Sequence, residues 1–110
     1  MTASPKHLTP PARRLFDAIL ELYELAEHDR AVLVKALEAW ERAEQARLLI
    51  AANGLLVTSR LGELRAHPAV AIERDARHAF LVAMKQLGLD YEPTPAQART
   101  AAARKARWSA

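Results

Sequence analysis

Four histidines are the first residues in this chain that could do chemistry, because imidazole binds metals and transfers protons near neutral pH. They stand at His7, His28, His67 and His78. None has another histidine three or four residues away, the spacing that places two ligands on one helix face. The chain also has no cysteine, which excludes disulfides, thiolate metal sites and cysteine nucleophiles. The sequence therefore gives no support to a metal site.

Phosphate-binding and hydrolase motifs are equally missing from the sequence. The three glycines, Gly54, Gly62 and Gly88, stand too far apart for a glycine-rich phosphate loop, and each is expected to close a helix or form a turn. No serine lies in a G-x-S-x-G context. Carboxylates are frequent, but they fall on helix faces that we expect to be solvated. We predict that the chain is not an enzyme and needs no cofactor; tight binding of a divalent metal would revive the alternative of a carboxylate enzyme.

Basic residues offer a better-supported chemistry, the neutralisation of phosphates. They concentrate near both ends of the chain and beside a candidate turn, although the formal net charge is only +3. Taken singly, each is also explained as a solvated surface charge. As a set, we predict that DNA is contacted by Lys6, Arg13, Arg14, Arg60, Arg65, Arg104, Lys105 and Arg107. Trp108 could stack on a base or fill a groove of another protein, and we assign it to partner binding.

Apolar periodicity indicates the elements that must position these residues, and it predicts three helices. They run from Pro10 to Ala26, from Asp29 to Asn53, and from Pro68 to about Leu87. Thr9 and Asp29 are the expected N-caps of the first two helices, and Gly54 suits the end of the second. Because the joint between the first two helices is short, we expect them to be antiparallel neighbours.

A β-prone run lies between the second and third helices. Leu55–Thr58, a turn at Leu61-Gly62 and a return through Glu63–Arg65 predict a small β-hairpin or an extended loop at about 55–66. Two strands are marginal alone, so the hairpin must pack on helices or on another subunit. We divide the chain into a mobile segment (1–9), a helical oligomerisation core (10–92) and a basic, mobile tail (93–110). No signal peptide or membrane-spanning run is visible, so we expect a soluble, cytoplasmic protein.

The second helix carries a row of small residues bordered by Leu33, Leu37 and Trp40. Such a row lets another helix come close, either in the chain's own core or in a neighbouring subunit. The third helix has two apolar edges, which also suggests two packing surfaces. The predicted oligomer interface consists of Val32, Ala36, Ala39, Ala43, Val70, Leu81 and Met84.

Several short motifs, in this order and spacing, resemble a phage terminase small subunit of the short helical type. The motifs are His7–Phe16, Ala52–Thr58, Arg65–Val70, Glu73–Ala76 and Lys85–Leu89. The third contains His-Pro-Ala and the last contains Leu-Gly-Leu. The resemblance covers roughly Leu8 to Pro93.

What the resemblance implies is a non-enzymatic DNA-packaging factor in the cytoplasm of the host cell. It implies a ring of mainly α protomers, each with three helices and a small β-hairpin. It also implies binding of double-stranded viral DNA at the packaging start, with recruitment and regulation of the large terminase, the ATPase and nuclease. The alternative is a helical oligomeric adaptor that binds a protein partner through its basic tail without DNA recognition.

Overall fold

Three helices and one two-stranded sheet make up the computed structural model, which describes residues 3–89. The elements follow the chain as α1 (Pro10–Leu22), α2 (Glu27–Asn53), β1 (Leu56–Thr58), β2 (Leu64–Ala66) and α3 (Pro68–Gln86). The prediction of a mainly α chain with three helices and a small β-hairpin is confirmed. The predicted tail, 93–110, lies outside the described residues.

Helix α1 ends at Leu22, so the prediction that it reaches Ala26 was wrong. The backbone becomes extended at Tyr23, with φ −126° and ψ 142°. Both Tyr23 and Leu25 are buried. In an extended segment these two side chains share one face, whereas in a helix they would point in nearly opposite directions. Burying both side chains therefore favours ending the helix early.

Helix α2 begins at Glu27 with Ala26 at the N-cap position, so the prediction that Asp29 is the N-cap was also wrong. Glu27 and Asp29 lie in the first turn, where their negative charge is favourable next to the helix dipole. The other end follows the prediction. Gly54 has a φ of +82°, which favours glycine, and its amide donates to the carbonyl of Ile50 at 2.7 Å.

The largest buried side chains lie where α2 meets α1 and the segment before it. Leu33 and Leu37 of α2 are fully covered, 0% exposed, and cluster with Phe16 and Leu8. The Thr9 amide donates to the carboxylate of Glu41, so α1 begins beside the middle of α2 and runs antiparallel to it. Sequence analysis placed the boundary of a mobile segment at residue 9, whereas Leu8 is part of this core.

Helix α3 returns along α2 and covers its row of small residues. Ala36, Ala39 and Ala46 on α2 are buried, as are Ala69 and Ala76 on α3. The spacing of seven residues between Ala39 and Ala46, and between Ala69 and Ala76, keeps each pair on one face. Small side chains on both helices let the two backbones approach closely. The alanine row therefore has a packing role inside a single chain.

The hairpin has the antiparallel register Leu56↔Ala66, Val57↔Arg65 and Thr58↔Leu64. Its turn is closed by the Ser59 amide, which donates to the carbonyl of Glu63 at 2.8 Å. The prediction of a hairpin at about 55–66 is confirmed. None of the described helices is long and apolar enough to cross a membrane.

Candidate nucleic-acid and assembly surfaces

The first group of predicted DNA-binding residues lies around the start of α1. Lys6 and Arg14 are exposed, whereas Arg13 is half-buried. The Arg13 Nε is buried and has no hydrogen-bond partner among the described residues. No acidic residue stands between Lys6 and Arg14 in the sequence, so these cations give the segment a local positive charge.

Two carboxylates of α2 hold the segment that carries this group. His7 Nε2 donates to Glu38 Oε2 at 2.8 Å, and the Thr9 amide donates to Glu41. The hydrogen bond from His7 lowers the pKa of Glu38 below its ordinary value, partial burial opposes this, and Lys35 lowers it further. Glu38 also forms an ion pair with Lys35 at 3.3 Å. The charged form of Glu38 is thus the one that the fold favours.

The second group, Arg60 and Arg65, lies on the hairpin. Arg60 is exposed in the turn, and Arg65 is exposed on β2 with its guanidinium 3.8 Å from the carboxylate of Glu63. Because side chains alternate along a strand, Arg65 shares one face of the sheet with its partner Val57. Its face is therefore opposite to the one that carries Leu56 and Leu64.

The structure keeps these two basic groups apart. The start of α1 lies beside Glu41, whereas the hairpin follows Asn53. At ~1.5 Å per residue, this separation is about 18 Å along α2. The remaining predicted site residues, Arg104, Lys105, Arg107 and Trp108, lie outside the described residues.

The predicted interface residues differ in how much surface they retain. Ala36 and Ala39 are only 2% and 9% exposed, because the chain's own helices cover them. Val32, Ala43, Val70 and Met84 are half-buried, and Leu81 is exposed. As contacts to a second subunit, the accessible members fit better than the two buried alanines.

A cleft that the sequence does not predict lies between α2 and α3 and has a volume of about 310 Å³. Trp40 and Phe80 line it together with two ion pairs, one on each helix. Arg47 binds Glu44 at 3.0 Å, and Arg77 binds Glu73. The hydrogen bond that Arg47 donates to Glu44 raises the pKa of Arg47 above its ordinary value, and Glu73 across the cleft adds a smaller effect.

The sequence alone does not show that these cleft residues lie close together. Trp40 and Phe80 are forty positions apart, and only the antiparallel packing of α2 and α3 brings them together. Across residues 3–89, no three histidine or carboxylate side chains converge in a way that could hold a metal ion.

A family model described as phage terminase, small subunit, matches residues 12–106. The chain belongs to the phage terminase small subunit family. The match spans nearly all of α1, the whole of α2 and α3, and the hairpin, and it confirms the family that the sequence motifs resembled. Small terminase subunits act in phage DNA packaging, and this chain has a role in that process. Neither the search of curated proteins nor that of solved structures gives a significant match.

Proposed function

We propose that this small terminase subunit forms a ring that binds double-stranded viral DNA at the packaging start. The ring recruits and regulates the large terminase, which supplies the ATPase and nuclease activities, and has no catalytic activity of its own. The observation that carries the proposal is the family match over residues 12–106, which includes every described helix and strand except the first two residues of α1.

Uncovered apolar side chains support the assembly step. Ile72, Leu81 and Val82 on α3 are each about half exposed. Apolar side chains exposed to water gain free energy when a second subunit covers them. We assign the contact to the accessible predicted residues, Val32, Ala43, Val70, Leu81 and Met84. Light scattering on the purified chain tests the ring: a monomer at tens of micromolar would exclude it.

The exposed cations support the DNA step, because Lys6, Arg14, Arg60 and Arg65 are all accessible to a phosphate backbone. In the tail, Arg104, Lys105 and Arg107 add three further positive charges. We expect weak binding that falls steeply with salt, since each neutralised phosphate releases counterions.

Fluorescence anisotropy with duplex DNA over a salt series tests this step and locates the cations. Removing Arg104, Lys105 and Arg107 together should reduce the log–log slope by about 2–3 if all three contact phosphates. The double variant Arg60→Ala/Arg65→Ala should reduce it by about 2 if the hairpin contacts DNA. The matched control Arg42→Ala/Lys85→Ala removes two exposed cations outside the predicted set and should leave the slope unchanged.

One combined outcome would favour the adaptor alternative instead: the absence of any DNA binding at low salt, together with retained binding of the large terminase under the same conditions. In either function the tail docks on a partner, and we assign the central contact to Trp108, because buried aromatic side chains dominate small interfaces. Trp108→Ala should then weaken co-purification with the large subunit.

A further inference from the structure

One face of the hairpin is apolar, and the residues that the structure describes leave it uncovered. Leu56 and Leu64 share this face by the register of the sheet, and they are 56% and 69% exposed. Leu55 precedes β1, and Leu61 stands in the turn at 85% exposure. We propose that a second copy of this chain covers this leucine face. The inference rests on the proposed assembly and names the surface that carries part of it.

The hairpin needs a further packing partner to be stable. Two strands of three residues each are marginal in water unless a further strand or a helix packs on them. In residues 3–89 the strands pair with each other, and no helix covers their leucine face. A two-stranded sheet also leaves one backbone edge of each strand open to pairing. A neighbouring protein surface supplies both the missing apolar cover and a partner for these edges.

The hairpin leucines expose a large apolar area. Leu55, Leu56, Leu61 and Leu64 are 56–85% exposed. With ~100 Å² for a whole leucine side chain, these four leave roughly 270 Å² exposed. A standard interface buries ~800 Å² per partner, of which about 500 Å² is apolar in homodimers. The hairpin leucines therefore supply about half of the apolar area that such an interface needs, and Leu48 and Leu49, near the end of α2, are also half exposed.

The leucine face is suited to a protein partner and not to DNA. Arg65 lies on the opposite face of the sheet, with Val57, and Arg60 lies in the turn. A phosphate backbone gains nothing from contact with leucine side chains, because DNA affinity comes from cations and polar groups. The leucine face thus suits a second copy, while the arginines stay free for DNA in the same assembly.

Light scattering over a dilution series tests the proposal. Leu56→Ser/Leu64→Ser should raise the protein concentration needed for half assembly at least about a hundredfold, with roughly a tenfold effect for each lost leucine. Leu22→Ser is the matched control, because Leu22 has the same exposed fraction as Leu56, 56%, and lies on α1. Far-UV circular dichroism checks that both variants stay helical.

Thiol labelling gives a second measurement that does not depend on the folding of the double variant. The chain has no cysteine, so Thr58→Cys places one thiol on the leucine face. Its alkylation rate should fall at least about tenfold between dilute and assembled protein. If assembly buries the thiol with a favourable free energy of even 1.4 kcal/mol, the thiol is exposed only about one tenth of the time. A Leu22→Cys thiol should react at the same rate in both.

The results separate this inference from the proposed assembly. If the wild type assembles but the double variant assembles equally well and the Thr58→Cys thiol stays reactive, the hairpin inference is overturned and the ring stands. Loss of assembly in Leu81→Ser alone would then locate the contact on α3. A wild-type monomer at tens of micromolar would overturn both. Weakened assembly in the double variant, together with thiol protection, supports the inference.

Discussion

The two ends of α2 place the same residue type in opposite environments. Leu33 and Leu37, in the first half of the helix, are completely covered by α1, by the segment before it and by the end of α3. Leu48 and Leu49, in the last turns, are half exposed. The helix is continuous between them, so local structure does not explain the difference. What differs is that α1 begins beside Glu41 and extends no farther along α2.

The two ends of α2 therefore have different roles, one in the stability of the single chain and the other in association. The end with α1 and the joint holds the large buried side chains, so it determines the stability of a single chain. The end with the hairpin adds few buried contacts and presents leucines to the outside. An exposed leucine side chain does not stabilise a single chain, whereas covering it with another subunit is favourable. That end is therefore suited to association. The following predictions test this division.

The largest effect should come from Leu37→Ala at the covered end. Removing a fully buried leucine costs about 2–5 kcal/mol, through lost burial and the cavity left behind. Leu48→Ala makes the same chemical change at the exposed end and should cost about 0.5 kcal/mol or less in dilute protein. Urea unfolding followed by circular dichroism measures both. Equal losses would show that the two ends stabilise the chain alike.

A smaller effect is expected where α2 and α3 meet through alanines. Ala76→Leu adds three carbons to a packed seam and should destabilise the fold by about 1–3 kcal/mol. Ala71→Leu adds the same carbons to an exposed site on the same helix and should change the free energy of unfolding by less than about 0.5 kcal/mol. Thermal unfolding compares them. If Ala76→Leu leaves the free energy of unfolding unchanged, the contact between α2 and α3 can accommodate a larger side chain.

The junction between the hairpin and α3 should respond to the loss of a helix cap. His67 Nδ1 accepts a hydrogen bond from the Ala69 amide at 2.9 Å, which satisfies a free amide of the first turn. His67→Ala should therefore cost about 1 kcal/mol, within the range known for lost caps. His67→Asn retains a side-chain acceptor and should recover most of that loss in the same unfolding experiment. Equal losses in the two variants would argue against capping.

The confirmed predictions are those that depend on residues adjacent in the sequence. Asn53-Gly54 ends α2, and the β-prone run with its Gly62 turn forms the hairpin. Pro68 opens α3, as predicted. In each case the backbone preferences of one or two residues determine the local conformation, so the local sequence is sufficient.

The features that could not be predicted depend on residues distant in the chain. Ending α1 at Leu22 lets Tyr23 and Leu25 enter a core that Leu33 and Leu37 complete. The alanine row was compatible with either α3 or a neighbouring subunit, and only the packed chain shows that α3 covers it. The placement of the leucines and Arg65 on opposite faces of the hairpin likewise follows from the strand register, which the residue types do not specify.

The smallest effect should come from the link between Glu38 and His7, which fastens the N-terminal segment to the covered end. The hydrogen bond from His7 lowers the pKa of Glu38 below its ordinary value of 4.5. A carboxyl whose pKa is lower in the folded chain adds stability at pH values above its ordinary pKa, and this contribution is lost as pH falls through the folded-state pKa.

Because the pair is partly exposed, Glu38→Gln should cost only about 0.2–1 kcal/mol near pH 6. Urea unfolding of the variant and wild type between about pH 3 and 6 should show the difference shrinking toward low pH. The exposed control Glu63→Gln should show a smaller loss at every pH; a Glu38→Gln loss independent of pH would mean that the charge of Glu38 does not stabilise the link.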